Sequence, residues 1–184
     1  NKASEVSENS RTIINELIEK GVKFTVATAR THATVIELLE GLNIQMPIAI
    51  MNGVGIYDLK NRKYLEIVDI SKVAAQQTLE IFDQLGLEPM VYGIKDDQLS
   101  VFYRQINNPV STNFYEQRKD KTLKTFTSVD EFESVVATHQ IVNILVFDKL
   151  ELIEEAYRQV QKVEGINATY YPTREEGFGY MELY

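Results

Sequence analysis

The run from Val22 to Thr28 constrains this chain more than any other segment. Val22, Phe24, Val26 and Ala27 make a short, apolar stretch rich in β-formers, and a helical pattern brackets it on each side. Upstream, Ile13, Ile14, Leu17 and Ile18 fall on one face of Asn9 to Lys20, with Gly21 where a left-handed residue commonly closes a helix. Downstream, Arg30 leads into Val35, Ile36, Leu38 and Leu39 at helical spacing, ending at Gly41. Helix, strand and helix with short joints is the pattern of a parallel sheet with crossover helices. Lys23 to Arg30 is therefore expected to be a buried parallel strand that carries the hydroxyl of Thr28 to its C-terminal end, where open α/β sheets hold their ligands.

Beyond Gly41 the style changes. Ile48 to Met51 reads as a second strand, introduced by Pro47 and running into the tight-turn pair Asn52 and Gly53. Val54 to Asp58 and Lys63 to Val68 then read as a hairpin, so a parallel crossover gives way to an antiparallel meander and a boundary falls between Asp58 and Asp69. Ser71 caps a helix closed by Gly86, followed by strands Glu88 to Ile94 and Leu99 to Arg104 around the polar turn Lys95 to Gln98. Asn108 to Thr125 is expected to be irregular and partly helical, and Ser128 to cap a helix through Val136. A buried strand (Gln140 to Phe147), a helix (Leu150 to Val163) and two strands (Ile166 to Tyr171, Tyr180 to Tyr184) complete the chain.

Charge narrows the partners. There are 19 basic and 27 acidic residues, a formal −8, with the cations scattered. Nucleic-acid binding rests on clustered Lys and Arg that displace counterions, so it is not expected. The absence of cysteine excludes a disulfide framework and thiolate metal sites and fits a reducing cytoplasm, which is the expected location. No apolar run reaches the roughly 18–20 residues of a membrane helix, and Asn1 to Glu5 lacks the apolar segment of a signal peptide. The oligomeric state is left open.

Two loop positions stand out as ligand sites. Thr28, Ala29 and Arg30 run directly into a helix whose free N-terminal amides favour an anion. Asn52 and Gly53 allow close approach to the backbone. Each has a plainer alternative: Thr28 as a helix cap, Arg30 in a surface ion pair, Asn52 and Gly53 as a turn and nothing more. His32 reads as a bystander in a first helical turn and His139 as structural. Asp96 and Asp97 read as a solvated turn rather than a metal site, and Arg118, Lys119, Asp120 and Lys121 as a solvated face. Tyr170, Tyr171, Arg174 and the loop Glu175 to Gly179 read as hinge packing.

The run Phe24, Thr25, Val26, Ala27, Thr28, Ala29, Arg30 resembles the second motif of the haloacid-dehalogenase-like hydrolases, an apolar strand ending in Ser or Thr. The preceding helix with Gly21, and Ile48 to Met51 followed by Asn52, Gly53, Val54, Gly55 and Ile56, resemble the Cof-type sugar-phosphate phosphatase branch. The stretch Asp58 to Tyr171 is similar in order and length to that branch's α/β cap. The resemblance implies an α/β fold with a partial Rossmann-like parallel core (1–58 and 175–184) and a large inserted α/β cap (59–174). It also implies a phosphatase of a small phosphorylated metabolite, by default a sugar phosphate, working through an aspartyl-phosphate with Mg²⁺ neutralising the phosphate and a second aspartate as general acid. In that scheme Thr28 hydrogen-bonds a phosphoryl oxygen with the amide of Ala29 beside it, and Arg30, Asn52 and Gly53 line the substrate pocket.

The departures are equally specific. The family's Asp-x-Asp-Gly motif lies upstream of the first helix, and its lysine and metal-binding aspartates lie downstream of the last strand; none is found between Asn1 and Tyr184. Relative to the family the chain is expected to be truncated at both ends, without nucleophile or Mg²⁺ ligands, and inactive toward a generic aryl phosphate by itself. Ala29 stands where the branch usually has glycine, a strain of about 1 kcal/mol if that position needs positive φ. The rival expectation is a non-catalytic binding or scaffolding protein.

Overall fold

The computed structural model describes residues 6–120 and 122–184; the leader expectation for Asn1 to Glu5 and the Lys121 member of the charge run lie outside them. The chain divides into two compact units, Asn1–Val68 and Asp69–Tyr184.

In the first unit, α1 (Glu8–Glu19) starts where Ser7 Oγ accepts the Ser10 amide at 3.2 Å. The chain reverses through Gly21 at φ 87°. An Asn15 side chain holds α1 to the loop after the second helix, donating to the Gly41 carbonyl (2.9 Å) and accepting the Asn43 amide (2.8 Å). The Val22–Thr28 segment is extended, and Ala27 bridges Ala49 in parallel. Its ladder continues with Ala49 N–H donating to Val26 (2.9 Å), Thr28 N–H to Ala49 (3.0 Å) and Asn52 N–H to Thr28 (3.2 Å). The parallel direction matches expectation, but the burial does not. Phe24, Val26 and Thr28 are half-buried and the residues between them exposed, because the ladder to residues 49–52 covers one edge and the pleat leaves alternate side chains outward.

Next come α2 (His32–Leu39), β1 (Ile48–Ile50), a 3-10 turn at Met51–Gly53, β2 (Gly55–Asp58) and β3 (Lys63–Ile67). The strands form an antiparallel sheet in the order β1-β2-β3. The Asp58 carboxylate closes the β2–β3 turn by accepting the amides of Lys60 (2.9 Å) and Asn61 (3.0 Å). Ala33, Val35, Ile44, Ile48, Ile50, Met51, Val54 and Tyr57 are the buried apolar residues of this unit, whereas Ile13 and Leu17 of α1 are exposed. The unit boundary at residues 68 and 69 lies at the far end of the Asp58–Asp69 span, ten residues beyond the 58/59 division of core and cap, because β3 is bonded to β2 along its length.

The second unit contains α3 (Lys72–Leu85), β4 (Met90–Lys95), β5 (Gln98–Tyr103), α4 (Pro109–Glu116), β6 (Lys124–Ser128), α5 (Glu133–Thr138), β7 (Gln140–Lys149), α6 (Leu150–Val160), β8 (Ala168–Pro172) and β9 (Phe178–Leu183). Its six-stranded sheet runs β6-β5-β4-β7-β9-β8, antiparallel except for the parallel pair β5 and β6. Val91, Ile144, Val146, Met181 and Leu183 of the sheet share one apolar core with Leu79, Phe82, Val136, Ile153 and Val160 of the helices. The mixture of helices with parallel and antiparallel strands is the α/β class expected.

Three expectations change here. Ser128 ends β6 instead of capping a helix, and α5 begins at Glu133; β6 exists because β5 offers it a parallel edge. Residues 175–184, expected to rejoin the first region, supply β9, which pairs with β7 and β8 and buries Gly179, Met181 and Leu183 in the second unit. The loop before β9 is therefore a hairpin turn rather than a hinge, closed by the Thr173 amide on Phe178 O (2.9 Å) and the Phe178 amide on Glu175 O (3.1 Å). Asp96 and Asp97 sit at φ 51° and 61° between the paired residues Lys95 and Gln98. Two left-handed residues in a two-residue hairpin match the right-handed twist of the strands they join, which accounts for both aspartates without a metal.

Candidate functional site

The parallel ladder brings the two loop positions together. Asn52 N–H donates to the Thr28 carbonyl (3.2 Å) and Met51 N–H to the Arg30 carbonyl (3.0 Å). The loop Thr28–Arg30 and the turn Met51–Gly53 are thus joined by two backbone hydrogen bonds at the C-terminal ends of neighbouring extended segments. All five predicted residues meet here: Thr28 half-buried, and Ala29, Arg30, Asn52 and Gly53 exposed.

Local conformation supports an open, polar mouth. Thr28 Oγ1 accepts the Arg30 amide at 3.2 Å, which turns the chain toward α2 and its N-cap residue Thr31. Ala29 is not among the residues with positive φ, so alanine carries no left-handed strain there and the expected penalty does not arise. Strain lies across the mouth instead, where Met51, Asn52 and Gly53 stand at φ 51°, 57° and 93°. Gly and Asn accept that region readily; Met51, 5% exposed, is held in it by burial of its side chain. Strained backbone of this kind concentrates at ligand sites. The arrangement offers an anion one hydroxyl, a guanidinium in reach of solvent and the amides that open α2.

His32, read from sequence as a bystander, is 4% exposed. Its ring stacks on Tyr57 (4.9 Å between centroids, 19° between planes) and meets the edge of Tyr64 (5.4 Å), and Tyr64 Oη lies 2.7 Å from His32 Nδ1. Tyr57 and Tyr64 are cross-strand partners on β2 and β3. The sequence signal was present in two aromatic residues at facing positions of a hairpin, but nothing local tied them to His32.

A mainly apolar cavity of about 200 Å³, lined by Ile18, Val22, Phe24 and Met46 with Lys23 and Gln45, opens at the other end of the extended segment, away from the Thr28 mouth. His139 is a structural residue, with Nδ1 near Thr138 Oγ1 (3.0 Å) and its ring against Phe102 (4.9 Å). Among the described residues no three His, Cys, Asp or Glu side chains gather as a metal site, and no helix is long and apolar enough to cross a membrane. Mg²⁺ takes carboxylate and phosphate oxygens; the residues assembled around Thr28 include no carboxylate and do not fit that ion by themselves.

The family model described as haloacid dehalogenase-like hydrolase matches residues 1–183. The chain belongs to the haloacid dehalogenase-like hydrolases. A curated protein of Buchnera aphidicola subsp. Baizongia pistaciae, provisionally named a phosphatase, is 32% identical over 75 residues, 41% of this chain and 28% of that protein. A crystal structure of a haloacid dehalogenase-like hydrolase from Bacteroides thetaiotaomicron superposes with TM-score 0.74 at 15% identity, covering 100% of this chain and 65% of its own. A subclass IIB sugar phosphatase of the superfamily superposes with TM-score 0.63 at 16% identity, covering 96% and 62%. At these identities the two structures speak to fold. The chain spans less than two thirds of the length of each of these relatives.

Proposed function

We propose that this hydrolase is a phosphatase of a small phosphorylated metabolite, with a sugar phosphate as the first candidate, and that the Thr28 mouth holds the phosphoryl group. The observation that carries this reading is the backbone junction of Thr28–Arg30 with Met51–Gly53 at the start of α2. It gathers a hydroxyl, exposed amides and a cation where a dianion gains most from them. The phosphatase and sugar-phosphatase relatives supply the reaction class by analogy.

In this reading the hydroxyl of Thr28 and the amide of Ala29 donate to phosphoryl oxygens, and Arg30 offsets their charge. Asn52 and Gly53 admit the ester close to the backbone. A divalent cation such as Mg²⁺ would supply neutralisation of charge on the transferred group, and its ligands are not among the residues gathered here. The nucleophile is likewise not among them, so the role proposed for Thr28 is binding and charge stabilisation. The second unit is proposed as the cap that selects the substrate, and the cytoplasm as the site of action.

The test is release of orthophosphate from a panel of sugar phosphates by the protein at the length its gene encodes, with and without Mg²⁺, for wild type and Thr28→Val. Removal of one preorganised donor is expected to lower kcat/KM by about 100-fold. Equal rates for the variant would reject Thr28 as the phosphoryl contact, and binding without turnover on any ester would favour the non-catalytic alternative.

A further inference from the structure

We propose that His32 and Tyr64 are positioning residues for the anion loop: their hydrogen bond, held in plane by Tyr57, locks the start of α2 to the β2–β3 hairpin and thereby fixes both halves of the Thr28 mouth. The proposal rests on the reading of that mouth as a phosphoryl site.

The connectivity makes the case. His32 is the first residue of α2 and follows Arg30 by one intervening residue, while Tyr57 lies on the strand that leaves the Met51–Gly53 turn. The loop and the turn are each tethered at one end by the backbone bonds between them. At the other end each is tethered by this cluster, through His32 for the loop and Tyr57 for the turn. Gly55 shows how closely the parts approach. A Cβ placed there would stand 3.4 Å from the Tyr64 ring and 3.4 Å from the Met51 methyl, so both groups crowd the first residue of β2.

Chemistry distinguishes this cluster from ordinary apolar filler. Three aliphatic side chains would bury equal area without fixing orientation. A near-parallel stack at 19° sets the plane of the imidazole, and the 2.7 Å contact from Tyr64 sets its rotation. Together they determine how the first turn of α2 presents its amides. The His32 side chain is 4% exposed, so its role is to hold the loop rather than to meet substrate. Polar groups buried to this degree need partners, and here the partner lies across the hairpin, which ties the two loops into one rigid part.

The experiment is an NMR titration of this chain with orthophosphate, reading the amide shifts of Thr28, Ala29 and Arg30 and the dissociation constant, with thermal unfolding recorded in parallel. Tyr64→Phe keeps the ring and removes only the hydroxyl. It is expected to raise the dissociation constant about 5-fold, the scale of one lost hydrogen bond, and to alter the free-state shifts of Ala29 and Arg30 while the chain stays folded at the temperature of the titration. His32→Leu is expected to weaken binding similarly, and His32→Asn, which restores polar atoms facing Tyr64, to recover part of it. Wild-type affinity in Tyr64→Phe, with weakened binding in Thr28→Val, would overturn the positioning role and leave the phosphoryl site standing. Unchanged binding in Thr28→Val, or no response of these amides to phosphate in the wild type, would overturn the site reading itself. Loss of affinity that merely follows loss of stability, with no recovery in His32→Asn, would reduce the cluster to packing and overturn the proposal.

Discussion

Glu182 on β9 shows how a single side chain sets a pH response. It faces Leu145 across the β7–β9 pair, and Asn143 Nδ2 donates to its Oε1 at 3.3 Å. Burial pushes its pKa above the ordinary value of 4.5, and the Asn143 hydrogen bond offsets only part of that. An acid whose folded pKa exceeds its unfolded pKa binds protons more readily when folded. Its contribution is therefore fully present below 4.5 and is lost as pH rises through the folded pKa. Glu182→Gln keeps the acceptor for Asn143 and removes the charge. It is expected to raise the melting temperature at neutral pH, with the gain shrinking as the solution is acidified toward pH 4.5. A series of thermal melts across that window checks it, and a gain independent of pH would contradict the assignment.

At the scale of elements, α4 depends on one residue. Asn108 Oδ1 accepts the amides of Val110 (3.1 Å) and Ser111 (2.9 Å), Ser111 Oγ approaches the Asn108 amide in return, and Asn108 Nδ2 donates to the Phe147 carbonyl at 2.8 Å. The first contacts start the helix and the last fastens it to β7. Asn108→Ala removes both functions and is expected to cost about 1–2 kcal/mol. Asn108→Asp keeps the cap acceptor, placed favourably at a helix N-terminus, but loses the donor to Phe147. Urea unfolding is expected to rank stability as wild type, then Asn108→Asp, then Asn108→Ala. Equal stability of the two variants would mean that the tie to β7 carries the effect and the cap carries none.

Across the whole molecule, protection is uneven. The second unit buries Val91, Ile141, Val142, Ile144 and Val146 at 1% exposure or less, in strands bonded on both edges. The first unit has a three-stranded sheet, a short parallel ladder and a helix, α1, with no buried residue. Hydrogen exchange is therefore expected to be slowest in β4 and β7, and faster in α1 and the Val22–Thr28 segment, which open by local fluctuation rather than global unfolding. Exchange in α1 as slow as in β7 would contradict this picture.

Much of this was legible in the sequence because it is written in local pattern. The caps Ser71 and Gly86, the tight pair Asn52 and Gly53, and the short, nearly continuous apolar runs of β4 and β7 each depend on neighbours within a few residues. The same local signals singled out Thr28, Ala29, Arg30, Asn52 and Gly53. Three things were decided only by tertiary structure. β6 forms because β5 presents a parallel edge to it. β9 joins the second unit because only there does its alternating face meet a core. His32 is buried rather than exposed because two tyrosines, on strands far from it in sequence, close over its ring. Local rules determine which elements form and where the chain turns; which edge pairs with which, and which buried polar group finds its partner, depend on surfaces that exist only once the chain has folded.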